Sequence, residues 1–376
     1  MDGFLIKSLS AKETEKELNF IGFDKAYLKT ACEKFVPQVF KIYDLTPVQA
    51  TILKQTALSC ATDCAVHRDV LTQKTDKSDV ILFGTTSQIK KIIKKLYVQP
   101  FGLKNLAGNL EEKISPKTKK WAGKTYIMGI LNITDNSFSD GGEFLEKENA
   151  LSRFSEILQQ GGDIVDIGAE STAPKSVPVE VEEEIKRLGK ILPDVAGKAV
   201  ISVDTRNSKT AQFAVEQGAD IINDVSGMTY DEKMVEVIKN SNADIVLTFD
   251  DEIKTEKTLD ETIKGLIKRV EICRQNGIDD TRVILDAGLG FKKTFEQNIE
   301  LIKNAAEIVS LGFPVLYGLS RKSFVQKLTE LPPKETFEAN ISLGAYLANQ
   351  GVNILRVHDV KAHKTALKAL DRIIYD

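Results

Sequence analysis

The stretch Ala199-Val-Ile-Ser-Val-Asp204, followed by Ser208–Gln217 and then by Asp220-Ile-Ile-Asn223, decides the fold. A short apolar run ends in a carboxylate, a helical segment follows, and a second apolar run ends in an amide. Short β-branched runs without polar alternation are what a parallel sheet covered by helices requires. Reading outward, the same unit recurs eight times. The expected strands are Tyr126–Leu131, Asp163–Ile167, Ala199–Val203, Asp220–Asn223, Asp244–Thr248, Arg282–Asp286, Pro314–Gly318 and Asn353–Val357. The expected helices are Leu145–Gln160, Val181–Val195, Ser208–Gln217, Glu232–Asn240, Leu259–Asn276, Phe295–Val309, Thr336–Asn349 and Lys361–Ile374. Eight units over about 250 residues predict a (β/α)₈ TIM barrel of the α/β class. An open doubly wound sheet would carry a glycine-rich phosphate loop after its first strand. Here that position reads Asn132-Ile-Thr-Asp-Asn-Ser-Phe-Ser-Asp-Gly-Gly142.

The barrel is expected over residues 124–376, a linker over 111–123, and a small α/β or α+β domain over 1–110. The lysine-rich stretch 104–124, with its glycines and proline, has linker composition. The N-terminal part is read as helices Glu17–Val39, Val48–Ser59 and Thr86–Tyr97 around one strand, Asp79–Gly84. Cys60, Cys64 and His67 invite a metal reading, with the two thiols sharing one helix face. A closed zinc site needs four ligands, so buried thiols are the expectation.

The 376-residue chain is 42% hydrophobic and 28% charged, with net charge −3 and four cysteines. No global basic field points to nucleic acid. No apolar run reaches the length of a membrane span and no signal peptide is evident. Four cysteines are too few for a disulfide framework, so a reducing, cytoplasmic setting is expected.

In a barrel of this kind, chemistry sits where strands end. Those positions are polar: Asn132, Asp166, Asp204, Asn223, Asp286, then Ser320 with Lys322, and Arg356 with His358. Asp204, Asn223 and Asp286 form an acceptor-rich wall suited to the amino and ring N–H groups of a flat heterocycle. Lys322 adds a donor for a ring carbonyl or nitrogen. Arg356 and His358, two apart, face one way on a strand and make a cationic corner for phosphate or diphosphate. Asn132 offers the hard oxygen that Mg²⁺ accepts while bridging to substrate phosphates. A lone Asp at a strand end is often only a helix cap. Seven of eight strands ending in polar groups argues against capping alone.

Seven stretches carry a resemblance. They are Met128-Gly-Ile-Leu-Asn-Ile-Thr134 with Ser137-Phe-Ser-Asp-Gly-Gly142, Asp166-Ile-Gly-Ala-Glu-Ser-Thr172, Ile201-Ser-Val-Asp-Thr205, Ile221-Ile-Asn-Asp224, Asp286-Ala-Gly-Leu-Gly-Phe291, Ser320-Arg-Lys-Ser323 and Arg356-Val-His-Asp-Val360. In this order they resemble dihydropteroate synthase, a transferase of folate biosynthesis. The resemblance implies that 4-aminobenzoate displaces diphosphate from (7,8-dihydropterin-6-yl)methyl diphosphate. It implies that Asp204, Asn223, Asp286 and Lys322 hold the pterin, with Asp166 also in the substrate site. Arg356 and His358 would hold diphosphate, with Mg²⁺ at Asn132. Thr172 and Ser320 would border the aminobenzoate pocket, with Phe291 packed beside it. Asp204, Lys322, Asp286, Arg356 and His358 would carry the catalysis, and a homodimer through barrel helices is implied.

The chain departs from the pattern in its loops. Asn136 stands at a usual carboxylate, Ala173 at a usual arginine, and Leu247-Thr248-Phe249 at a usual Met-His-Met. Asp-Pro-Gly-Phe becomes Asp286-Ala-Gly-Leu289. A missing arginine contact is worth about 1.5–3 kcal/mol. Two rival readings follow: a pterin-binding methyltransferase, which would not need the diphosphate corner, and a paralogue that holds pterin without turnover.

Overall fold

The computed structural model describes residues 6–7, 9–114, 120–133, 142–169, 179–332 and 335–374. Two compact units divide at Lys117/Thr118, inside the segment expected to link them.

The first unit is built on a three-stranded antiparallel sheet of order β1-β3-β2, with β1 Pro37–Leu45, β2 Cys64–Ala65 and β3 Ser78–Thr85. Helices Pro47–Leu58, Thr86–Leu96 and Leu103–Ile114 complete it, sharing a core of Leu53, Leu82, Ile89, Ile92, Leu96 and Leu103. Capping boxes start the first two of these helices: Thr46 with Gln49, and Thr85 with Gln88.

Three local expectations are corrected here. The single helix expected over Glu17–Val39 is two helices, Ala11–Phe20 and Leu28–Phe35, followed by β1. Gly22, at φ 75°, ends the first helix, and Pro37 cannot continue the second. The stretch with linker composition contains the helix Leu103–Ile114, because Leu103, Leu106, Ala107, Leu110 and Ile114 repeat at helical spacing and pack into the core. Cys60 and Cys64 share no helix face: Cys60 lies in the turn after Leu58 and Cys64 in β2. Both thiols are buried, and burial pushes that of Cys64 up to about 11. His67 is exposed, and among the described residues no three His, Cys, Asp or Glu side chains gather as metal ligands.

The second unit is the expected barrel. Its strands are β4 Tyr126–Asn132, β5 Ile164–Gly168, β6 Val200–Asp204, β7 Ile221–Asp224, β8 Asp244–Thr248, β9 Val283–Asp286, β10 Val315–Gly318 and β11 Ile354–Val357. They close in chain order, every neighbour parallel. Two expected helices are broken: Val181–Gly189 is separate from Leu192–Val195, and Phe295–Lys303 from Ala305–Val309. A short helix, Ser323–Thr329, was not expected.

One residue from every strand meets in a plug inside the barrel. Met128, Ile164, Ile221, Val246, Ile284, Leu316 and Ile354 form it with Trp121, and Val200 packs against it. Asn353 fastens this end, donating from Nδ2 to the Trp121 carbonyl at 2.8 Å and accepting the Val315 N–H at 2.9 Å. Because strand side chains alternate, the residues two further along also point inward. Those are Ile130, Asp166, Ser202, Asn223, Thr248, Asp286, Gly318 and Arg356. The apolar plug therefore sets the register that turns a polar layer toward the C-terminal mouth.

Candidate active site

The polar layer is held together by one arginine. Arg356 donates from Nε to Asp166 Oδ2 at 2.6 Å and from Nη2 to Asp204 Oδ2 at 2.7 Å. Asp166 also accepts Ser202 Oγ at 2.5 Å and Asn223 Nδ2 at 3.2 Å. The sequence reading gave Asp166 to the substrate and Arg356 to diphosphate. The structure turns both inward, so that Asp166, fully buried, orients Asn223 and Arg356 from below. Removing Arg356 would leave the fully buried Asp166 carboxylate without its counter-charge.

Electrostatics in this layer are set by burial. Burial raises the carboxyls of Asp204 and Asp286 above the usual carboxylate range, opposed at Asp204 chiefly by the charge of Arg356 and at Asp286 chiefly by the Gly288 N–H. Arg356 is held charged by Asp166 and Asp204. Lys322 is pushed down to about 8 by burial and by Arg356, against the pull of Asp286 and Asp204.

Lys322 follows β10 in the turn Leu319-Ser-Arg-Lys322, where Arg321 takes a left-handed φ of 61°. A non-glycine residue held there is strained, and such strain gathers at functional sites. The Lys322 ammonium sits 4.4 Å from the centre of the Phe291 ring. Its stem lies against Gly290, where a Cβ would come 3.1 Å from Lys322 Cδ. Phe291 and Lys322, both expected at the site, are thus in contact.

The cationic corner gathers on His358. Its Nδ1 is 3.0 Å from Ser320 Oγ, and that oxygen also accepts the His358 backbone N–H at 3.3 Å. With the hydroxyl donating to Nδ1, one of the two tautomers this contact allows, Nε2 is an N–H donor toward an anion. Burial, then the charges of Arg321, Arg356, Arg153 and Lys322, push the imidazole down to about 3. At neutral pH the ring is uncharged and is ringed by four cations. Ser320, expected beside the aminobenzoate, joins this corner. Asn132 stands exposed at the end of β4, paired with Gly168, which has no side chain to cover it. Thr172 and the altered positions Asn136 and Ala173 lie outside the described residues.

Three contributors were missed. Ser202 was legible in principle, two residues before Asp204 on the same strand face. Arg153 donates from Nη2 to the His358 carbonyl at 2.7 Å, but it lies within a helix with no motif to mark it. Lys293 binds the carbonyls of Phe249 at 2.7 Å and Phe291 at 3.2 Å, tying the loops after β8 and β9; burial pushes it down to about 8.

A parallel barrel with an acid–amide wall beside a cationic corner defines a pterin-binding barrel, and residues 128–358 match the family described as pterin binding enzyme. The dihydropteroate synthase of Clostridium beijerinckii is 36% identical over 266 residues, covering 70% of this chain and 99% of that protein. The bifunctional dihydropteroate synthase/dihydropteroate reductase of Helicobacter pylori is 32% identical over 381 residues, covering 97% of both chains. Among solved structures, the dihydropteroate synthase of Anaplasma phagocytophilum with bound 6-hydroxymethylpterin-monophosphate shares 38% identity, covers 67% of this chain and 100% of its own, and superposes with a TM-score of 0.63. The chain belongs to the dihydropteroate synthase family of pterin-binding enzymes.

Proposed function

We propose that the protein joins (7,8-dihydropterin-6-yl)methyl diphosphate to 4-aminobenzoate, giving 7,8-dihydropteroate and diphosphate. The observation that carries this is the junction of two unlike subsites through one residue. Arg356 pairs with Asp204 of the wall and lies two residues before His358 of the corner, so a heterocycle and an anionic leaving group fit in one mouth. Asp204, Asn223, Asp286 and Lys322 hold the pterin. Asp166 acts through Asn223 and Arg356 rather than on substrate. As the methylene–oxygen bond opens, the carboxylates stabilise positive charge on the pterin methylene. Nε2 of His358, with Arg321 and Arg356 nearby, stabilises the departing diphosphate. The amine of 4-aminobenzoate is neutral and needs positioning beside Phe291 more than a strong base.

Asn132 fits Mg²⁺ as a single exposed amide oxygen, since that ion keeps several waters and leans on substrate phosphates. Once bound there it would neutralise the leaving diphosphate. The same reading includes a homodimer and a cytoplasmic location. Exposed Leu328, Leu331, Phe337 and Tyr346, on or beside the last barrel helices, support the first. No described helix is long and apolar enough to cross a membrane.

The test is incubation with both substrates and Mg²⁺, following dihydropteroate and diphosphate. Turnover that disappears in Asp204→Asn and Lys322→Ala supports the assignment. Pterin binding without turnover contradicts it and favours a non-catalytic paralogue. The similarity to the Helicobacter pylori protein, which spans the N-terminal unit, favours a second reading in which dihydropteroate is also reduced. Dihydropteroate-dependent NADPH or reduced-flavin oxidation tests it, and no oxidation with either donor would rule it out.

A further inference from the structure

Two lysines bracket Phe291, the aromatic residue read as packing beside the aminobenzoate. Lys322 Nζ stands 4.4 Å from the centre of its ring. Lys293 Nζ holds its backbone, donating to the Phe291 carbonyl at 3.2 Å. The same ammonium donates to the Phe249 carbonyl at 2.7 Å and lies 5.0 Å from the centre of the Phe249 ring. Two hydrogen bonds and a cation–π contact thus occupy an ammonium that has three hydrogens. Phe249 is itself fixed: it is buried, its N–H donates to the Asp286 carbonyl at 2.9 Å, and the Arg269 guanidinium carbon lies 5.2 Å from its ring centre. Gly288, at φ 69°, permits the approach, because a Cβ there would overlap the Phe249 carbonyl and come 3.2 Å from Lys293 Nζ. Ion pairing does not explain the placement, since nearby Asp250 pairs with Arg269 and Lys292, and Asp251 with Arg269. A charge half-buried against two carbonyls is a costly way to fasten a loop, and groups perturbed in this way gather at functional sites.

We propose that Lys293 is a positioning residue, which sets the Phe291 ring for the aminobenzoate by fastening the loop after β9 to Phe249. The inference rests on the proposed function and adds to it a residue that acts through Phe291 rather than on substrate. Its anchor, Phe249, belongs to the stretch Leu247-Thr248-Phe249 in which this chain departs from its family's pattern. Phe291 lies in the loop 287–293. That loop is tied at its start by the Gly288 N–H on Asp286 and at its middle by the Gly290 N–H on Asn298 Oδ1 at 2.7 Å. Lys293 adds the tie at Phe291 itself. Without the ammonium both carbonyls lose a donor, the loops after β8 and β9 are no longer joined there, and the ring loses its set position. Asp286 keeps its Gly288 contact, so the pterin wall is spared. A displaced packing surface weakens the substrate that rests on it.

The test is a double-mutant cycle on KM for 4-aminobenzoate, using wild type, Lys293→Met, Phe291→Ala and the double variant, alongside calorimetric titration of each with 6-hydroxymethylpterin. Lys293→Met is expected to raise KM for 4-aminobenzoate about tenfold and to leave pterin affinity within about threefold. In the Phe291→Ala background the same change is expected to add less than about twofold, because the ring that Lys293 positions is gone. A purely structural role would weaken both substrates and act equally in both backgrounds. An unchanged KM in Lys293→Met, or equal effects with and without the Phe291 ring, overturns the proposal and leaves the proposed function intact. A Lys293→Met protein that does not fold, or that loses pterin affinity along with 4-aminobenzoate, overturns it in favour of a structural role. Wild-type protein that forms no dihydropteroate overturns the proposed function and the proposal with it.

Discussion

Arg356 Nη2 and Asp204 Oδ2 lie 2.7 Å apart although β4 and β5 stand between their strands. The guanidinium reaches across the barrel mouth and on its way pairs with Asp166. Asp166→Ala should therefore destabilise the fold by about 3–5 kcal/mol, since it leaves Arg356 with Asp204 alone and takes the acceptor from Asn223 and Ser202. Urea denaturation measures this. A loss below about 1 kcal/mol would show that the network does not support the mouth.

Lys322 gives a pH dependence with a defined sign. Its pKa in the folded protein, about 8, lies below its ordinary value of 10.5. Between those values the unfolded chain holds more protons, so this group's contribution to stability rises with pH. Below about 8 both states are protonated and the burial penalty is fully present. Lys322→Met is expected to raise the melting temperature at pH 7, with the difference shrinking toward pH 10.5. The kcat/KM for the pterin substrate should fall as pH rises through about 8 in wild type, and Lys322→Met should lose that limb. A melting temperature lowered at pH 7 would contradict the account.

Ser320 Oγ lies 3.0 Å from His358 Nδ1, placed to hold the Nε2–H tautomer by donating its hydroxyl. Ser320→Ala should raise KM for the pterin diphosphate about tenfold, and leave the affinity of 6-hydroxymethylpterin, which lacks the phosphates, within about twofold. Nitrogen NMR of the imidazole should show the Nε2–H population falling. Equal losses for both ligands would place Ser320 at the pterin instead.

Gly290 has φ 80°, and a side chain there would press on Lys322 Cδ. Gly290→Ala carries both backbone strain and displacement of the ammonium, about 1–3 kcal/mol of destabilisation. Pterin affinity should drop with it. Unchanged affinity would show that the Lys322 position is not set by this loop.

Much of the barrel was legible in the sequence. Asp244–Thr248 was read at its observed bounds, and the seven other strands begin or end within one residue of expectation. Short β-branched runs between helices leave little choice where both faces are covered. The N-terminal unit was harder. Val39-Phe-Lys-Ile42 alternates weakly, and it became a strand only by pairing with Val80–Phe83, some forty residues on. The wall and the corner were legible as strand-end chemistry. The partner of Arg356 was not, because Asp166 lies 190 residues away and the shared layer is set by barrel closure. Arg153 was equally hidden, because its partner is a backbone carbonyl, which no side-chain pattern marks.

The most direct test of the central claim is a single-turnover reaction. Protein in excess over (7,8-dihydropterin-6-yl)methyl diphosphate is mixed with Mg²⁺, with and without 4-aminobenzoate, and dihydropteroate and diphosphate are quantified. The account predicts that the two products form in equal amounts with 4-aminobenzoate, and that His358→Ala slows both together. Diphosphate released without dihydropteroate, or pterin bound with neither product formed, would contradict it.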